Sequence, residues 1–128
     1  MGRHVAAPPI TRERAHQALA LLQHDAQHHP PMQRALTEAA GRLEALPWCF
    51  RQDIGELVIA SASLPSRRYH VTIAGCACRA AREDLVCWHV AAWKILYLAD
   101  ALGRYEAARA AAGTSWKRIR HDSHQHVA

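Results

Sequence analysis

The stretch Cys76-Ala77-Cys78 … Cys87-Trp88-His89, running straight into the apolar residues 90–102, decides how the rest of the chain is read. It holds three of the four cysteines and one histidine, the donor types of a tetrahedral zinc site. Cys76 and Cys78 are two apart, so on an extended backbone both side chains leave the same face, and a turn brings the sulfurs together. Cys87 and His89 are also two apart, but in a regular α-helix such residues point about 200° away from each other. The helix is therefore expected to begin at or near Cys87. The thiol then sits at the helix entrance, where free N–H groups favour a thiolate, and His89 reaches back from the first turn. Four protein donors leave no open coordination position, so the reading is one structural Zn2+ ion on Cys76, Cys78, Cys87 and His89. Taken instead as small buried hydrophobes, the three cysteines leave His89 and the paired spacings without a purpose.

Working back toward the N-terminus, residues 67–73 alternate as a strand, with Tyr69, Val71 and Ile73 on one face and His70 and Thr72 on the other. Leu64-Pro65-Ser66 reads as a turn. Residues 56–63, centred on Leu57, Val58 and Ile59, form a second strand, and residues 48–52 a third, ended by Asp53 and Gly55. The order implies a small antiparallel sheet of about three strands, followed by a central apolar helix. Cys49 has no base beside it in the sequence and is expected to be a buried strand thiol.

A Cys-x-Cys pair, a short insert, a Cys-x-His pair and Ala91 and Ala92 in an apolar helix, all preceded by Tyr69-His70-Val71-Thr72-Ile73, make residues 55–102 resemble the SWIM-type zinc finger, in a small stand-alone prokaryotic form. The resemblance implies a zinc-binding ββα module. It also implies DNA binding and protein contacts within DNA-processing assemblies such as those of repair and recombination.

The flanks read as follows. Residues 1–10 are Pro-bearing and aperiodic, a mobile arm. From Thr11, a plausible N-cap, Ala15, Ala18, Leu19, Leu22 and Ala26 form one helical stripe. His28-His29-Pro30-Pro31 breaks it, with the two histidines as solvated positions at the helix end. A second helix starts at Pro31, carries Ala35, Leu36, Ala39, Leu43 and Leu46, and is closed by Pro47. Residues 11–47 are thus expected as a helical hairpin, residues 48–103 as the zinc module, and residues 104–113 as a short C-terminal helix separated by Gly103. Residues 11–113 make one compact α+β domain, and residues 114–128 a basic flexible tail.

Half of the 128 residues are hydrophobic, enough to bury a core, and the net charge is +5 before ten histidines are counted. That balance favours anionic partners. Residues 57–82 contain no acidic side chain but carry Arg67, Arg68, Arg79 and Arg82, the residue type suited to phosphate. Lys117, Arg118 and Arg120, with Trp116 among them, extend the candidate nucleic-acid contacts into the tail. DNA is therefore the first partner proposed, and a protein partner or a second copy meeting the apolar helices is the alternative. No paired-carboxylate site, phosphate loop or nucleophile elbow is present, so no enzymatic role is expected. No run is long enough for a membrane span, and with reduced thiols the expected location is cytoplasmic.

Overall fold

A helix needs partners for its first free N–H groups, and Thr11 supplies one: its hydroxyl accepts from the Arg14 N–H at 3.1 Å, a contact whose loss typically costs about 1 kcal/mol. In the computed structural model, which describes residues 7–64, 66–78, 80, 83 and 85–123 with side chains as far as residue 113, this cap opens α1 (Arg12–Asp25). The second helix, α2 (Pro30–Ala45), has His29 as its cap, with Nδ1 accepting from the Met32 N–H at 3.1 Å. His29 therefore starts a helix and does not merely trail the previous one, a role open only to a ring with a free Nδ1 lone pair. The Gln33 amide donates to the Gln23 carbonyl at 2.6 Å and ties α2 to α1.

Three short strands follow, β1 (Trp48–Arg51), β2 (Glu56–Ala60) and β3 (Arg68–Val71), in the antiparallel order β1-β2-β3. Phe50 stands opposite Leu57, and Leu57 opposite Val71; all three are buried on one face of the sheet. The parity that turns Phe50 inward turns Cys49 outward. Cys49 is exposed, contrary to the sequence expectation, because two adjacent apolar residues cannot share one face of a strand. Ile73 also departs from expectation, being 85% exposed. Regular pairing ends at Val71, and residues 72–75 fold into a tight turn in which Thr72 and Gly75 exchange backbone hydrogen bonds.

The sheet and both shorter helices rest on α3 (Trp88–Ser123). Ala91, Ala92, Ile95, Leu96 and Ala99 are buried along it and meet Ala18, Ala35, Leu36 and Ala39 from the first two helices. Alanines at these contacts let the helix axes approach closely, while Leu36, Leu57, Ile59, Val71, Ile95 and Leu96 fill the volume between. Each such fully buried side chain contributes about 1.5–3 kcal/mol over an exposed one. The architecture is thus α+β, with three helices and a three-stranded antiparallel sheet among the described residues.

Asp100 is the buried carboxylate of α3. Its oxygens accept from Gln52 Nε2 at 2.8 Å and Arg104 Nε at 3.0 Å. The Gln52 amide also donates to the Pro8 carbonyl at 2.7 Å, and Ile10 packs against the core, so residues 8–10 of the expected arm are held in place. At the turn between β1 and β2, Gly55 has φ 65°. Its carbonyl accepts from Trp93 Nε1 at 2.8 Å, and a Cβ there would meet the Tyr97 ring at 3.7 Å.

The helix does not end at Gly103. Residues 104–113, expected as a separate helix, continue α3, whose bounds reach Ser123. Gly103 lacks the positive φ that ends a helix and is buried, with the Arg14 side chain 3.6 Å and Pro8 3.8 Å from where a Cβ would stand. These are ordinary contacts, so Gly103→Ala is expected to fit and to raise stability by up to about 1 kcal/mol through helix propensity. A thermal melt should rise by a few degrees; a fall would contradict this account of the position.

Candidate metal centre

The four donors of the sequence pattern come together. Cys76, Cys78, Cys87 and His89 each offer one ligand atom within 4.8 Å of the others. The tight turn at residues 72–75 makes this possible. Gly75 adopts φ 116°, a conformation L side chains avoid, and it reverses the chain just before Cys76. The Cys78 backbone N–H then donates to Cys76 Sγ at 3.4 Å. From the other side, Cys87 stands directly before α3, and its carbonyl accepts the Ala91 N–H at 3.2 Å, the position of an N-cap. His89 follows in the first turn, so the expected placement of the helix start is what lets both ligands face one point.

Cys78 Sγ lies 3.2 Å from Cys87 Sγ, and Cys87 Sγ 3.3 Å from His89 Nδ1. Two sulfurs on one tetrahedral zinc would be about 3.8 Å apart at the usual bond length of ~2.3 Å, so the Cys78–Cys87 pair lies about 0.6 Å inside that spacing. Cys78, Cys87 and His89 are buried and Cys76 is half-buried. His89 Nε2 is the one buried side-chain nitrogen or oxygen without a hydrogen-bond partner among the described residues. A polar atom buried in that way typically costs ~1–3 kcal/mol, while the other ring nitrogen, Nδ1, is the one beside the Cys87 thiol. The ring is held by its neighbours, with Tyr69 at 4.6 Å and Trp88 at 4.0 Å between centroids, and the Arg42 guanidinium lies 5.8 Å over Trp88. The cluster can hold one metal ion, and a Cys3His donor set suits zinc.

The thiols do not share their protons evenly. Contact with the Cys87 thiol, helped by the Cys78 N–H, holds Cys76 below the usual thiol range. The same contact together with burial pushes Cys87 up to about 11. A metal ligand must be a thiolate, so binding expels the Cys87 proton, and acid favours the protonated, metal-free form. Apparent metal affinity is therefore expected to fall with pH across the whole range below about 11, by about tenfold per pH unit for each proton taken up. Equilibrium dialysis across pH 5–8 checks this; pH-independent retention would contradict it.

No family model matches the chain, and neither does any curated protein or solved structure. The donor cluster stands on its own geometry. Of the expected nucleic-acid contacts, Arg67 and Arg68 are exposed where the hairpin turns from β2 into β3. Arg79 and Arg82 lie outside the described residues, as do the side chains of Lys117, Arg118 and Arg120. Sequence reasoning did not assign roles at the site to Tyr69, Trp88 or Gly75. Gly75 was signalled by its place directly before the first ligand, whereas the two aromatic contacts depend on how the sheet lies on α3. No helix of the described residues is long and apolar enough to cross a membrane.

Proposed function

We propose that the cluster binds one structural zinc ion in a SWIM-type module and that the protein is a DNA-binding accessory factor of DNA repair or recombination, without catalytic activity of its own. The observation that carries the reading is the Cys3His cluster itself, which joins the end of the Arg67–Arg68 hairpin to the first turn of α3. A metal there fixes the hairpin against the domain, so its arginines meet a phosphate backbone from a rigid support. The spacing of the ligand pairs and the net charge of +5 support the same reading.

Arg67→Glu combined with Arg68→Glu is expected to leave folding and metal content unchanged while weakening binding to duplex DNA. If each arginine meets one phosphate, the slope of log affinity against log salt becomes shallower by about two. Unaltered affinity and slope, measured by fluorescence anisotropy, would sink the proposal. A second reading, a protein adaptor or self-associating module, rests on Ile73 and Leu85, which are 85% and 60% exposed and stand within three residues of the ligands Cys76 and Cys87. It requires a salt-insensitive assembly in sedimentation and no affinity for DNA.

A further inference from the structure

A groove of about 710 Å³ opens beside the cluster, between α2 and the segment that leads into α3. Cys78 and Cys87 line it, and Arg34, Arg42, Leu85 and Trp88 stand along its other walls. Both cysteines are thus buried in the fold yet line a space that admits a small molecule. Their separation, 3.2 Å, is only about 1.2 Å longer than a disulfide bond of ~2.05 Å. They come from segments nine residues apart, on opposite sides of the site. Cys76 and Cys78, by contrast, are separated by one residue, where a bridge would close a small, strained ring.

We propose that Cys78 and Cys87 are a hydroperoxide-reactive pair whose oxidation to a disulfide releases the metal. One sulfur attacks the distal oxygen of the peroxide. An S–O bond forms, the O–O bond breaks, and the departing hydroxide, or alkoxide, takes up a proton. The second sulfur attacks the resulting sulfenic acid, forming the S–S bond and expelling hydroxide, which is protonated to water. With hydrogen peroxide, two thiolates, one peroxide and two protons give one disulfide and two waters, the sulfurs losing the two electrons that the peroxide gains. Only Cys76 and His89 then remain as donors, too few to retain zinc. The hairpin end then keeps one covalent tether to the start of α3 in place of a four-donor anchorage, so a phosphate-binding surface that depends on the metal would respond to peroxide. The metal-release half rests on the zinc reading; the thiol pairing does not.

The test uses the unaltered protein, its zinc content first measured by mass spectrometry, titrated with hydrogen peroxide in the presence of a chromogenic zinc chelator and mapped after tryptic digestion. The cysteines fall on separable peptides: Cys49 on residues 43–51, Cys76 and Cys78 on residues 69–79, Cys87 on residues 83–94. The expected result is one zinc released per disulfide, with residues 69–79 linked to residues 83–94 through Cys78, and recovery on adding dithiothreitol and zinc. Fragmentation that places the link on Cys76 overturns the proposal. So does zinc kept while the Cys49 peptide oxidises, or zinc lost with only sulfinic or sulfonic acids formed. A protein that carries no zinc at the start but forms the Cys78–Cys87 link supports the reactive pair and overturns the zinc reading.

Discussion

Cys87→Ser is expected to reduce bound metal to background and to lower the thermal midpoint by on the order of 15 °C. A ligand present at a thousand times its dissociation constant stabilises the folded state by about 4 kcal/mol, and a chain of this length shifts by a few degrees per kcal/mol. Serine preserves the size of the side chain but offers a hydroxyl in place of a thiolate, leaving three donors around a buried space. The helical core should survive, because Leu36, Ile95 and Leu96 are not among the donors. Far-ultraviolet circular dichroism is therefore expected to keep most of its helical signal at low temperature, while limited proteolysis becomes faster around residues 72–78. Unchanged stability together with unchanged metal content would remove the site from this residue.

Leu96→Ala is expected to cost about 2–5 kcal/mol, a large share of the ~5–15 kcal/mol that holds a typical domain together. Leu96 is 1% exposed and, with Ile95, floors a crevice of about 350 Å³ between α1 and α2, so the groups around it have little to collapse onto the space left behind. Ile73→Ser is the matching control. The alternation of residues 69–73 put Ile73 on the same face as Val71, which is fully buried, and a continued strand would make its loss comparably costly; an 85% exposed side chain instead implies a change within about 0.5 kcal/mol. Urea unfolding of the two variants separates these accounts, and a large loss at Ile73 would mean that β3 continues past Val71.

Local chemistry was readable wherever it was decided by near neighbours. Thr11 caps α1 and Pro47 closes α2 because capping and proline sterics act within a few residues. The helix start beside Cys87 followed from the angle between positions two apart. The ligand set was legible because all four donors lie within fourteen residues, from 76 to 89. What stayed hidden was set by contacts across the fold. Trp48, Cys49 and Phe50 are all apolar, so the strand's parity was fixed only when Phe50 met Leu57. Gly103 has the composition of a helix stop, yet it serves as the flat spot against Arg14 and Pro8. Asp100 looked like an interruption of an apolar helix and is the anchor for Gln52 and Arg104.

Past Gly103, α3 keeps its hydrogen-bond ladder through residues 104–112, every one of them exposed, with the Arg14–Glu106 ion pair at 2.7 Å as a lateral clasp. An Ala-rich segment this short would barely be helical on its own, because starting a helix is the unfavourable step. Here the nucleus is inherited from the turns locked in the core, and only elongation remains. Fraying should consequently advance inward from the far end, with amide exchange slowing residue by residue from Gly113 toward the Glu106 clasp.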